Sequence, residues 1–174
     1  MRSKRRSKPA VAIQIDEAGT HQPAPQDAIA LLLACHARIR RYCATAARIA
    51  DALEPDHASV EATRRYFTEA LPLHAEDEDT LFLPRVRAHH PIPPAISEQH
   101  AQIQALLPQM AERWTQLLTG ERAHDLAAIT ARWTTLLEAH LALEEATFIP
   151  QAQALLTPAE HQRFVADMLA RRNT

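Results

Sequence analysis

Apolar side chains recur along this chain at steps of three and four, the period of a helix with one buried face. Leu31, Leu32, Cys35, Ile39, Tyr42 and Ile49 trace a first helix to Leu53, with Asp27 placed to cap it and Glu54-Pro55-Asp56 placed to end it. Val60, Phe67, Leu71, His74 and Phe82 mark the buried side of a second helix, from near Asp56 to His89. Pro91-Ile-Pro-Pro94 forces a stop, and a third helix follows from Pro94 or Ala95 to Leu118. Thr119-Gly120 is the next break. A fourth helix runs from about Ala123 to Leu156 through Leu126, Ile129, Trp133, Leu136, His140 and Leu143. Thr157-Pro158-Ala159-Glu160 has the form of a capping box with proline at the first helical position, opening a short fifth helix that ends near Arg171.

Composition agrees with this reading. The chain has 174 residues, enough for one sizeable core, and only two glycines. Aromatic residues are few and β-branched runs are absent, so the expected class is all-α: an up-down-up-down four-helix bundle with a short fifth helix. The bundle domain is expected over residues 27–174. Residues 1–26 hold Gly19, Pro23 and Pro25, lack periodicity and read as a flexible tail.

Charge changes the picture only locally. A formal net charge of -2 argues against a polyanion-binding chain. Arg2, Lys4, Arg5, Arg6 and Lys8 crowd the start and read as a solvated tail, with a nucleic-acid or membrane contact as the minor reading. No apolar run follows them, so neither a secretory signal nor a membrane span is expected. Cys35 and Cys43 lie two turns apart on one helix, too far for a disulfide, whose Cα atoms come within about 7 Å. They read as small buried side chains, and a reducing cytoplasm is the expected location.

The candidate chemistry lies in a repeated pattern. His74-Ala-Glu-Asp-Glu78-Asp-Thr-Leu-Phe82-Leu-Pro84 and His140-Leu-Ala-Leu-Glu144-Glu-Ala-Thr-Phe148-Ile-Pro150 both read H-x-x-x-E-[DE]-x-x-F-[LI]-P. A His and a Glu four apart share a helix face and can offer a nitrogen and an oxygen to one metal. His36 and His100 lie on the other two long helices. Residues equally far from a connecting turn are level in a hairpin. The midpoint of His36 and His74 is Pro55, that of His100 and His140 is Gly120, and that of Glu78 and His100 is His89, each at or beside a predicted turn. So His36, His74, Glu78, His100, His140 and Glu144 are expected in one layer, a donor set that suits a pair of iron, manganese or zinc ions. Two glutamates buried there without a cation would each cost several kcal/mol unless protonated. His21, His57, His89, His90, His124 and His161 fall in tails, turns or helix ends and read as solvated, with His89-His90 able to pick up adventitious metal. Pro84 and Pro150 are expected to close or kink their helices just past the site, and Pro72 and Pro108 to add bends without a functional reason.

At these residues the chain resembles the hemerythrin-like, or HHE, cation-binding family, over about Asp27 to Leu156. The resemblance implies a four-helix bundle around a non-haem di-iron centre. His36, His74, His100 and His140 would be terminal ligands. Glu78 and Glu144 would bridge the irons beside an oxo, hydroxo or water bridge. The oxygen carriers of the family have a further histidine one turn after the third-helix ligand, where this chain has Gln104, and tend to have aspartate where it has Glu144. The chain looks more like the branch tied to iron handling and to responses to oxygen, peroxide or nitric oxide. The branch that repairs iron–sulfur clusters carries an added N-terminal cysteine-bearing domain; this chain has no cysteine before Cys35 and its N-terminal stretch is expected to be too short for one.

Three functions follow as expectations: a di-iron protein that senses or handles oxygen, nitric oxide, peroxide or iron; a di-iron peroxidase, oxidase or nitric-oxide reductase; and a metal-free bundle with packed histidines. No acid–base side chain beyond the ligands stands out for the second. A signalling partner protein is conceivable for the first. Leu32, Ile39, Phe67, Leu71, Ile103, Leu107, Leu136, Leu137 and Leu143 should make the pocket apolar. Arg40, one turn after His36, reads as a surface or snorkelling residue that, if turned inward, could steer an anion or hydrogen-bond a bridging carboxylate.

Overall fold

Asp27 does cap the first helix. In a computed structural model, which describes residues 27–121 and 123–172, its Oδ1 accepts from the backbone N–H of Ile29 at 2.8 Å and of Ala30 at 3.2 Å. Helix α1 spans Ala28–Asp51 and stops short of Leu53, because Ala52 already turns to extended backbone ahead of Pro55. The expected tail, His21 included, lies outside the described residues. No strand occurs among those described.

The second helix, α2, is continuous over 57–87, but two of its turns are π-helical, Tyr66–Ala70 and Glu78–Phe82. Each precedes a proline closely, Pro72 and Pro84. Proline has no N–H to donate and its ring crowds the carbonyl four residues back. Widening the preceding turn relieves both: Leu71 N–H bonds to Tyr66 O, and Leu83 N–H to Glu78 O.

Helix α3 spans Pro94–Leu118, with Pro108 inside it and no break there. Gly120 then adopts a φ of 79°, open to glycine at no steric cost. The expected fourth helix is two. Helix α4 spans Leu126–Ala146 and α5 spans Phe148–Leu155, with a break at Thr147 (φ −119°, ψ −80°). Pro150 falls in the first turn of α5, where a missing N–H costs nothing. The same motif proline is thus met by a π turn in one copy and by a break in the other. Helix α6 spans Pro158–Arg171 and opens on the expected capping box of Thr157 and Glu160.

α1 packs on α2 and α4, and α3 packs on the same two, closing the four-helix ring. Two apolar clusters fill it. One holds Ile39, Phe67, Met110, Trp114 and Trp133, with Phe67 stacked on Trp114 and edge-on to Trp133. The other holds Leu32, Phe82, Ile96, Phe148 and Phe164, covered by α6. On α1, α2 and α3 the candidate residues fall between these clusters, and on α4 they flank Leu141, at the edge of the first cluster, so the polar layer lies between two apolar blocks.

Candidate metal centre

The six expected residues do meet. His36 comes from α1, His74 and Glu78 from α2, His100 from α3, and His140 and Glu144 from α4; all are buried, the glutamates completely. Each imidazole turns its Nε2 inward. His74 Nε2 lies 3.2 Å from Glu78 Oε1, and His140 Nε2 lies 3.2 Å from Glu144 Oε1. His36 Nε2 is 3.5 Å from both Glu78 and Glu144. His100 Nε2 is 3.3 Å from Glu78 and 3.8 Å from Glu144.

These donors fall into two groups that share both glutamates: His36, His74, Glu78, Glu144, and Glu78, His100, His140, Glu144, with donor atoms in each group within 4.8 Å of one another. His74 Nε2, His100 Nε2, Glu78 Oε2 and both Glu144 oxygens are buried without a hydrogen-bond partner among the described residues. Several of them sit close to an oppositely polar atom yet are misaligned for a hydrogen bond with it. Lone pairs arranged this way face a common point rather than each other. The layer can therefore hold two metal ions, each facing two imidazoles and both carboxylates.

Protonation follows from burial and crowding. Burial lowers His74 to about 4 and His140 to about 3, so both are neutral, the form that binds metal. Burial pushes Glu78 up, but the imidazoles of His74, His100 and His36 outweigh it and hold its carboxyl below the usual range. Burial, then the charge of Glu78, raises Glu144 well above that range. Two adjacent buried carboxylates cannot both ionise without a cation.

The outward Nδ1 atoms show residues that spacing alone did not single out. His36 Nδ1 donates to Glu145 at 2.9 Å, and His100 Nδ1 to Asp79 at 3.2 Å. His140 Nδ1 meets the Gln99 carboxamide oxygen at 3.2 Å. Asp79 and Glu145 each follow a shared glutamate; they are the [DE] position of the repeated pattern, which was visible in the sequence. Arg40 stays at the surface, as expected, and does not hold a bridging carboxylate: its guanidinium is bidentate to Glu145, at 2.7 and 3.2 Å, and reaches Glu138 at 3.0 Å. Asp77, one residue before Glu78, is wholly buried and paired to Arg171 and to Arg172, the latter at 2.7 Å.

A cavity of about 50 Å³ opens beside His74, His100 and His140. Ile39, Leu71, Ile103, Leu107 and Leu137 line it as expected, joined by Pro72, Ala75 and Gln104. Leu32 and Phe67 sit in the apolar clusters instead, Leu143 packs on the α6-covered one, and Leu136 lines an outer groove. Cys35 and Cys43 are free and half-buried, and burial raises both thiols, Cys43 to about 12. His161 is not solvated: it is half-buried and accepts from the Ala28 N–H at 3.1 Å. His57, though exposed, donates to the Leu118 carbonyl at 3.1 Å. No described helix is long and apolar enough to cross a membrane.

Comparison with known proteins agrees with the geometry. A protein of Haemophilus influenzae, described as uncharacterized, is 28% identical over 130 residues, covering 69% of this chain and 76% of the relative. The hemerythrin HHE cation binding domain matches residues 27–152. A chain with that match and a buried His/Glu layer able to hold metal belongs to the hemerythrin HHE cation-binding family.

Proposed function

We propose that this protein is a non-haem di-iron protein that senses or handles oxygen, nitric oxide, peroxide or iron in the cytoplasm. The ligands in this reading are His36 and His74 on one iron, His100 and His140 on the other, and Glu78 and Glu144 shared. The observation that carries it is the convergence of four inward Nε2 atoms on two wholly buried glutamates, three of whose four carboxylate oxygens lack a hydrogen-bond partner among the described residues. A metal-free bundle would have to keep Glu144 protonated and leave Glu78 to the imidazoles alone. Bound iron would supply redox chemistry toward small molecules. The chain supplies the rest: neutral imidazoles, two carboxylates to balance the charge, and apolar walls that admit a small neutral ligand and exclude bulky polar ones. Imidazole and carboxylate donors also accept manganese or zinc, which are the secondary occupants.

Metal per chain, measured on tag-free protein from iron-replete cells purified without oxygen, tests the reading. About two irons, fewer in His74→Ala, with near-UV absorption that responds to oxygen or nitric oxide, is the expected result. Zinc or manganese alone would keep the site and overturn its redox role, and an absence of bound metal would return the case to the packed bundle. The cavity beside three of the four imidazoles also allows an enzyme. Peroxide or nitric-oxide turnover that disappears in Glu78→Ala or Glu144→Ala would favour that; rates equal to free iron would exclude it.

A further inference from the structure

The two carboxylates that grip the outward nitrogens are arranged crosswise. Asp79 follows Glu78 on α2, the helix of His74, yet it holds His100 of the other group. Glu145 follows Glu144 on α4, the helix of His140, yet it holds His36 of the other group. A carboxylate only accepts, so each contact places the proton on Nδ1 and leaves Nε2 bare toward the layer, the tautomer a metal at Nε2 requires.

The braces differ in rigidity. Glu145 takes His36 Nδ1 and Arg40 Nη1 on one oxygen, at 2.9 and 2.7 Å, and Arg40 Nη2 on the other at 3.2 Å; its side chain is 32% exposed. Arg40 is itself held by Glu138. Asp79 is 48% exposed and meets His100 at 3.2 Å. The paired-motif histidines have weaker support: Nδ1 of His74 is buried without a partner among the described residues, and that of His140 meets a neutral carboxamide.

We infer that Glu145 and Asp79 are positioning residues that cross-brace the two halves of the centre, each fixing a histidine of the ion opposite to its own helix, and that the Arg40-locked Glu145 makes the His36–His74 position depend on its brace more strongly. The inference rests on the two-ion reading above. The alternative is that Arg40–Glu145 is an ordinary half-exposed ion pair, which would matter little and would not distinguish one ion from the other.

The full chain, loaded anaerobically with ferrous iron, is dialysed against graded chelator and the iron per chain counted. Wild type should hold two ions. Glu145→Ala should release one of them at roughly ten- to a hundredfold lower chelator strength, and Asp79→Ala should release the other with a smaller change. Glu145→Gln, which keeps an acceptor for Nδ1, should recover part of the loss. Location is read from double variants. With His140→Ala, which leaves the His36–His74 ion, Glu145→Ala should empty the chain; with His74→Ala it should change nothing. Equal weakening of both ions in Glu145→Ala, or retention identical to wild type, overturns the brace and leaves the two-ion reading intact. A wild-type chain holding fewer than two ions overturns that reading and the brace with it. Melting of the metal-free variants separates the roles further: a merely structural ion pair would lower it as much as it lowers that of the loaded protein, whereas a brace lowers chiefly the loaded one.

Discussion

Asp77 and Arg172 form an ion pair at 2.7 Å that fastens the C-terminal helix to the middle of α2, one residue from Glu78. Arg171 holds the same carboxylate, and its Nη2 also donates to Thr80 Oγ1 at 2.8 Å. Asp77 is fully buried, so stripping both arginines would leave an uncompensated charge beside the site. The double variant Arg171→Ala/Arg172→Ala should lose about 3–5 kcal/mol of stability. Chemical denaturation measures it; a loss under about 1 kcal/mol would show that α6 packs without this clasp.

His74 sets an acid limit on the metal-free protein. Burial holds it at about 4, against 6.5 for an unhindered imidazole. Between those values the unfolded chain takes up a proton that the folded chain refuses, so this contribution is whole above pH 6.5 and is lost as pH falls toward 4. The loss is on the order of 3 kcal/mol. His74→Gln cannot titrate, so its stability relative to wild type should improve as the buffer is taken from pH 7 to pH 4. A constant difference between the two across that range would contradict the assignment.

Glu144 acts in the opposite direction. Burial and the Glu78 charge raise it, so in the metal-free protein its contribution is favourable at low pH and is lost as pH rises through the raised value. Glu144→Gln removes the ionisable group at similar volume. The metal-free variant should melt above metal-free wild type at pH 8, by roughly 2–4 °C for each kcal/mol recovered. With metal the order should reverse. Calorimetry on both forms decides it, and a variant that melts lower in both would count against the crowded-carboxylate account.

What the sequence made legible, and what it hid, divides along one physical line. His36, His74, Glu78, His100, His140 and Glu144 could be placed because helical period and distance from a turn determine face and height. Asp79 and Glu145 stood in the same repeated pattern, but which imidazole each would reach depends on helix rotation across an interface. Asp77 gave less signal: a buried aspartate runs against composition, and its partner Arg171 lies 94 residues away. The prolines were ambiguous for a related reason. Pro72, Pro84 and Pro150 each announce a lost hydrogen bond, but whether the chain widens a turn or breaks at Thr147 is decided by packing.

The two π turns bound a short α-helical segment, Leu71–Asp77, that bears Leu71, Pro72, His74 and Ala75, four of the residues lining the cavity. A widened turn departs from the regular helical ladder, so we predict that this wall opens first at its two ends, as a shutter would between two joints. Access to the cavity would then need no hinged lid, only a small rocking of one wall. Hydrogen exchange should show amides 66–71 and 78–83 opening ahead of those at 100–106 on the facing helix. If the two exchange together, the wall is rigid and the cavity opens, if at all, from another side.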